Sequence, residues 1–270
     1  MSIFIHPTAL VSNKAKLGDG VWIGPYCIVC DDVEIGSETR LEAFVTVRDH
    51  VKIGRKCLLC EHVTLGQLPQ DFGYKGELSW VRIGDGVTLR ENVTVHRASG
   101  EGNETVVSGG CFIMEGVHIG HNVFVGPDCV IASKAGLAGY VSVGKKVVLG
   151  GLCGIHQFVR IGDYCMIGGL SKVVKDIPPF LIVDGHPAKI RGLNVVGLRR
   201  NGFNQQERSL IKEAYKKLLR SSLTLKDALS LLEQEKGNSA LIREIIDFIK
   251  GSKRGISPWP NKKEKGLEND

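Results

Sequence analysis

The sequence predicts a mainly β fold: a parallel β-helix wound from hexapeptide repeats, followed by a small C-terminal helical domain. Three observations predict it. From Val107 onward every sixth position is aliphatic (Ile113, Ile119, Val125, Ile131, Leu137, Val143 and on to Val173), and the fourth residue after each is small or β-branched (Cys111, Val117, Val123, Cys129, Ala135, through to Ile177). Glycine follows the aliphatic in Ile119-Gly120, Val125-Gly126, Val143-Gly144, Ile161-Gly162 and Ile167-Gly168. The period then stops at Pro178-Pro179 and helical spacing begins beyond residue 202. A helix repeats at about 3.6 residues and a lone strand alternates at about 2, so a period of six with glycine corners reads as short strands separated by turns.

The same phase starts at the N-terminus with Ile5, Val11, Leu17, Ile23, Val29, Ile35, Leu41, Val47, Ile53, Leu59 and Leu65. It breaks near residues 66–80, where Asp71 and Glu77 fall at positions due an aliphatic, resumes at Ile83, Leu89 and Val95, and breaks again near residues 98–106. Long loops in a repeat scaffold commonly carry its binding face. The β-helix is therefore expected over residues 1–190 with two excursions, and a helical domain over 191–256. In that domain Asn204 is placed to cap a helix from Gln205 to Arg220, with Leu210, Ile211, Ala214 and Leu218 on one face. Thr224 is placed to cap Leu225 to Gln234, and Ser239 to cap Ala240 to Lys250, which Gly251 ends. Residues 257–270, with Pro-Trp-Pro followed by Lys, Glu and Asn, read as a disordered tail.

Composition narrows the class. The chain has 270 residues, 43% of them apolar, which excludes a disordered composition. No apolar run approaches the roughly 20 residues that span a bilayer, and the first residues lack a basic, then apolar, leader. The expectation is a cytoplasmic protein without stable membrane insertion. Charge is divided: residues 189–270 carry 18 Lys and Arg against 10 Asp and Glu, a net +8 within a total of +6. A basic helical module raises nucleic acid as a partner, but aromatics interleaved with Lys and Arg, the platform for stacking bases, are missing. An acidic protein or a phosphorylated small molecule fits at least as well, and no nucleic acid is expected.

Eight cysteines include Cys27-x2-Cys30 and Cys57-x2-Cys60, the spacing of a four-thiolate zinc site. The repeat argues against that reading. A triangular coil takes three hexads, so residues stack only at multiples of 18, and the two pairs are 30 apart. Cys27, Cys57, Cys111, Cys129, Cys153 and Cys165 occupy the small inward position of their hexads, where a free thiol acts as a compact hydrophobe. No metal is expected.

Stacking at 18 also assembles chemistry. His121, Gly139 and Gln157 form one column, with Asn122, Tyr140 and Phe158 adjacent, and His118, Gly136 and Gly154 nearby, while His156 neighbours Gln157. A neutral imidazole can take a proton from a hydroxyl near pH 7, and a bare glycine leaves its N–H open to an oxyanion.

The array, the Gln70-Asp71 loop, His118-x2-His121, Leu137-Ala138-Gly139, His156-Gln157-Phe158, Gly197-Leu198-Arg199-Arg200 and the three-helix end together resemble the UDP-N-acetylglucosamine 3-O-acyltransferases, which catalyse the first step of lipid A synthesis. The hexads are shared by many acyltransferases; the His-Gln-Phe segment and the Gly-Leu-x-Arg stretch are more specific. The resemblance implies a left-handed β-helix, assembled as a homotrimer with sites between subunits. It implies a 3-hydroxyacyl thioester on acyl carrier protein as donor, without a further cofactor, and the 3-position of a UDP-sugar as acceptor. His121 matches the general base and Gly139 the oxyanion donor. Asp71, His118, His156 and Gln157 match substrate-positioning residues, Tyr140 stands at a further substrate-side position, Asn194 and Arg200 match the nucleotide-phosphate side, and Gly169 matches the position that limits the acyl chain. The basic C-terminal module fits an acidic carrier protein.

The chain departs from the family pattern at four places. Asn122 stands where an Asp commonly follows the catalytic His, and orients the ring without adding charge. Tyr140 replaces a His, Gly73 replaces a loop Lys, and Asn201 replaces the second Arg of a pair. Other readings on the same scaffold are a 3-amino acceptor sugar, acetyl-coenzyme A as donor, and a zinc hydratase, which needs three converging His where the columns supply His118 and His121. An N-acyltransferase of the next lipid A intermediate would carry an extra N-terminal uridine-binding domain, whereas the hexads here begin at Ile5.

Overall fold

A computed structural model describes residues 2–220, 223–236 and 238–259. Its main body is the parallel β-helix that the repeat predicts, wound in the left-handed sense that the resemblance implies, against the usual right-handed crossover of parallel strands. Most strands are two residues long and lie in three sheets of 11, 9 and 8 strands. The first face runs from Phe4–Ile5 to Met166–Ile167, the second from Leu10–Val11 to Lys172–Val173, and the third from Lys16–Leu17 to Arg160–Ile161.

Both repeat positions point inward, which is why the period is six. The aliphatic ends a strand and the residue four further on turns the next corner, and Ile113, Val117, Ile119, Val123 and Val125 are all fully buried. Coils stack with an offset of 18, as in Phe112↔Val130 and Val130↔Val148. The two excursions insert whole hexads. Across the first the offset is 30 (Val51↔Val81), and across the second 24 (Thr94↔His118), so the inward phase survives both. Cys27, Cys57, Cys111, Cys129, Cys153 and Cys165 are buried, at the inward positions expected of them. Burial pushes the Cys153 thiol up to about 11 and the Cys165 thiol up to about 12, so both are neutral near pH 7.

Beyond Pro178-Pro179 the structure adds elements that neither the hexad nor a helical period marks. Leu181–Gly185 joins the first face in parallel, and Ala188–Leu193 returns antiparallel to it. A short helix, α1 (Val195–Arg200), follows. The three expected helices are α2 (Gln205–Arg220), α3 (Leu225–Lys236) and α4 (Ala240–Lys250). Asn204 and Glu207 form a reciprocal capping box at α2, each side chain accepting the other's backbone N–H. Thr224 caps α3 through Asp227 N–H, whereas Ser239 precedes α4 without a side-chain cap bond.

These elements close the open end of the solenoid, where unpaired strand edges would otherwise be exposed. Phe180 is fully buried and clusters with Tyr164 and Phe203, and the Tyr215 hydroxyl of α2 donates to Pro179 O at 2.7 Å. Ser257 was assigned to the disordered tail; instead its N–H donates to Asp176 O and its side chain is buried. Ile190 N–H donates to Pro258 O, and Trp259 packs on the core. The rest of the expected tail, residues 260–270, lies outside the described residues.

Candidate active site

Three elements meet at the edge between the second and third faces: the corner after His118–Ile119, the corners stacked above it, and the first excursion loop. His121 and Asn122 turn the chain from one face to the other, and Asn122 takes φ 59°, a left-handed conformation that Asn tolerates better than most residues. Stacking is shown by backbone bonds between coils, Tyr140 N–H to His121 O at 3.0 Å and Phe158 N–H to Gly139 O at 3.1 Å. The Tyr140 and Phe158 rings stack at 4.8 Å, and the His121 ring meets Tyr140 edge-on at 5.2 Å.

The hydrogen bonds define the state of His121. Asn122 Oδ1 accepts Ser99 N–H at 2.8 Å, while Asn122 Nδ2 donates to Ser99 O at 3.0 Å, which fixes the amide's orientation. The same Oδ1 lies 2.9 Å from His121 Nδ1. An amide oxygen cannot donate, so Nδ1 donates to it, and in the neutral ring the lone pair therefore sits on Nε2. Asn122 N–H donates in turn to Thr105 Oγ1, which ties the corner to the second excursion.

Gly139 provides the room. A Cβ built there would lie 2.4 Å from His121 Nε2 and 2.5 Å from Cε1, so the ring occupies space that any other residue would fill. Among the described residues, Gly139 N–H makes no backbone hydrogen bond. On the adjoining second face Gly136 and Gly154 also present bare backbone, with nothing within 4 Å of a Cβ at either. Together with His118, His156 and Lys172 they line an apolar trough of about 390 Å³. His118 shares a hydrogen bond with Thr94 Oγ1 at 2.8 Å, and burial, then neighbouring His96 and His121, hold it below the usual imidazole value. His156 is exposed, its Nδ1 3.2 Å from Gln157 O.

The excursion loop brings in Asp71. Its Oδ1 accepts Gly73 N–H at 2.8 Å, and Tyr74 N–H donates to its carbonyl at 3.1 Å, closing a turn. The Gly73 N–H, then Ser99, then His121 hold its carboxyl below the usual carboxylate range. Asp71 is therefore ionised within electrostatic reach of the imidazole.

His96 was not singled out in the sequence. Its ring sits edge-on to His118 at 5.0 Å, and its Nδ1 donates to Leu68 O at 2.8 Å, anchoring the loop that carries Asp71. Burial holds it, too, below the usual imidazole value. The second excursion changes the offset from 18 to 24, which hid His96 from a search at 18.

Three candidates lie elsewhere in the chain. Gly169 is on the corner between the first and second faces, stacked on Gly151. Asn194 is buried as the N-cap of α1, accepting Gly197 N–H at 3.1 Å and donating to Tyr164 O at 2.8 Å. Arg200 is exposed in the last turn of the same helix. Among the described residues, one group of three side chains brings metal-ligating atoms within 4.8 Å of one another, Cys60, Glu61 and Glu91, on a different corner. His96, His118 and His121 do not form such a group. Arg90 already pairs with Glu91 at 2.8 Å.

Comparison with known proteins bears on this geometry. Residues 176–257 match the second domain of the UDP-N-acetylglucosamine O-acyltransferase family, and residues 14–49 match the bacterial transferase hexapeptide repeat. The acyl-[acyl-carrier-protein]–UDP-N-acetylglucosamine O-acyltransferase of Thermodesulfovibrio yellowstonii is 46% identical over 253 residues, covering 93% of this chain and 98% of the relative. That of a Sulfurihydrogenibium species is 49% identical, covering 96% of each chain. Among solved structures, the UDP-N-acetylglucosamine acyltransferase of Francisella novicida superposes with a TM-score of 0.93 at 35% identity, over 97% of this chain and 96% of that one. The Acinetobacter baumannii protein gives a TM-score of 0.91 at 35% identity, over 94% and 99%.

Proposed function

The chain belongs to the acyl-[acyl-carrier-protein]–UDP-N-acetylglucosamine O-acyltransferase family, and we propose that His121 is the base through which it works. The reaction moves an acyl chain from acyl carrier protein to UDP-N-acetylglucosamine, the first step of lipid A biosynthesis. The donor chain is a 3-hydroxyacyl group and the acceptor is the sugar 3-hydroxyl. His121 Nε2 takes the hydroxyl proton as the oxygen attacks the thioester carbonyl carbon. The resulting oxyanion is held by Gly139 N–H. Collapse expels the thiolate of the carrier's phosphopantetheine arm, which takes the proton back from the imidazolium, so no net proton is consumed. General-base assistance of this kind contributes about 10²–10⁴-fold.

The observation that carries this reading is the His121 tautomer: Nδ1 engaged by Asn122, and Nε2 free above the bare Gly139. Asp71, His118, Tyr140, His156 and Gln157 surround the acceptor side of that base. Gly169 sits on another corner, and Asn194 and Arg200 sit at the two ends of α1, so their roles in acyl length and nucleotide phosphate require a neighbouring copy, as in a homotrimer with sites between subunits. The net +8 of residues 189–270 supports docking of an acidic carrier protein. No described helix is long and apolar enough to cross a membrane.

The test is transfer by His121→Ala from 3-hydroxyacyl carrier proteins of several chain lengths to UDP-N-acetylglucosamine and its 3-amino analogue. Loss of transfer by two or more orders of magnitude with the hydroxyl acceptor is expected; near-normal transfer would overturn the assignment. A preference for the amine acceptor in the wild-type protein would move the reading to a 3-amino sugar.

A further inference from the structure

Arg97 is 8% exposed, and no carboxylate among the described residues pairs with it. Its Nη2 donates to the Tyr74 hydroxyl at 2.6 Å, a neutral partner, and its Nε is buried without an acceptor. A guanidinium is always charged, and a buried charge without a counter-charge is costly. The group borders a cavity of about 340 Å³ whose walls include Arg48, Asp49, His50, Gln67 and Leu68. Arg48 is exposed, and its guanidinium has no hydrogen-bond or ion-pair partner among the described residues. The nearby acids make other contacts, Asp49 Oδ1 accepting Asp32 N–H at 3.1 Å and Asp32 Oδ2 lying 2.6 Å from His50 Nδ1, and neither pairs with Arg97 or Arg48 among the described residues.

We propose that this cavity is a binding site for a small oxyanion of the phosphate class, held between Arg97 and Arg48. Guanidinium groups pair with such oxygens through two parallel N–H donors, and a partly dry cavity strengthens the contact. The site lies on the same edge as His121. The offset that pairs Thr94 with His118 places Arg97 one coil N-terminal of His121. It is also wired to the excursion loop: Arg97 N–H donates to Gln67 O at 2.9 Å, its side chain holds Tyr74, and Tyr74 N–H closes the turn on Asp71. An anion that neutralises Arg97 thereby steadies the loop that presents Asp71. The inference stands on the buried charge and the cavity, independently of the acyl-transfer reading.

The experiment is isothermal titration of the intact protein with inorganic phosphate and with acetate, at constant ionic strength in chloride, beside thermal unfolding in the same buffers. Saturable phosphate binding is expected, with a rise in Tm that chloride does not give. Arg48→Gln, an exposed position whose change leaves the fold intact, should weaken binding at least tenfold, and Arg97→Gln should abolish it. Acetate binding as tightly as phosphate would overturn the phosphate class. Absence of saturable binding, or binding unchanged in Arg48→Gln, would overturn the site itself. Phosphate binding that persists with saturating UDP-N-acetylglucosamine assigns the site to a free anion; its loss assigns it to a phosphate of the sugar nucleotide. Because binding is read without turnover, failure here leaves the role of His121 untouched, and an inactive His121→Ala should still bind phosphate.

Discussion

Gly139 and His121 share a space that only one side chain can fill, since a Cβ on Gly139 would fall 2.4 Å from His121 Nε2. The Gly139 backbone is not in the left-handed region, so alanine is excluded there by the imidazole alone. Gly139→Ala should therefore displace the ring while the coil still stacks. A displacement of about 1 Å at a reacting group can cost on the order of 10²-fold, and that loss is expected in kcat. Stability should change by less than about 1 kcal/mol. A Gly139→Ala protein with full kcat would show that the ring has room the geometry denies it.

Asn122 tests whether the base must be oriented. Because its φ is 59°, Asn122→Gly removes the amide without straining the backbone, whereas alanine would add a left-handed penalty of about 1–2 kcal/mol. The glycine variant should lower kcat by roughly 10- to 100-fold with little change in KM, since the amide touches His121 and Ser99 and its contribution is to the proton transfer. Asn122→Asp places a negative charge beside Nδ1, which favours the imidazolium. The free-base form then appears only at higher pH, so the acid limb of kcat/KM should move up by on the order of 1 pH unit. An unchanged pH profile in Asn122→Asp would remove the amide from the proton-transfer chain.

The ridge that carries His121 and Gly139 is legible in the sequence. The spacing of 18 placed His121, Gly139 and Gln157 in one column because each coil repeats three hexads with both inward positions filled by aliphatic or small side chains. Helix starts were legible where the cap is local, as with Asn204 and Glu207. What stayed hidden is non-local or short. His96 escaped because the second excursion adds a hexad, changing the offset to 24. The six residues of α1 are too few for helical periodicity to register, and the hairpin before it pairs antiparallel across a loop that no hexad marks. The motif gives no sign that Asn194 also caps α1 and donates to Tyr164 O, since both partners depend on the short helix and the last coil.

Glu244 of α4 gives the junction between helices and solenoid a pH dependence. Burial, with Asp163 adding and Lys145 opposing, pushes its carboxyl from 4.5 up to about 7, and its Oε1 is buried without a partner. The folded state thus holds a proton that the unfolded chain releases between about pH 4.5 and 7. The contribution is present in full below that window and is lost as pH rises through it. Glu244→Gln, which keeps the neutral shape, should be more stable than wild type at pH 8, by on the order of 1–2 kcal/mol after allowance for partial exposure. The advantage should shrink toward pH 5. Equal thermal midpoints at pH 8 would show that solvent reaches the carboxylate.

Gly169 provides the test of a shared site. It stands on the corner between the first and second faces, away from His121 in its own chain, and a Cβ there would meet Gly151 O at 3.3 Å and Gly151 N at 3.9 Å. A larger residue there points outward from the corner once the Gly151 carbonyl gives by a few tenths of an ångström. If a neighbouring copy brings its His121 edge against this corner, Gly169→Met should shorten the preferred acyl chain by filling the far end of its channel. Stability should stay close to wild type, and rates with the shortest donors should be retained. The measurement is the chain-length profile of transfer from a series of 3-hydroxyacyl carrier proteins. A uniform loss at every length would point to a disturbed assembly, and an unchanged profile would mean that the acyl chain ends elsewhere. Only a selective loss of the longer donors places Gly169 at the end of the chain that His121 of a neighbouring copy helps to transfer.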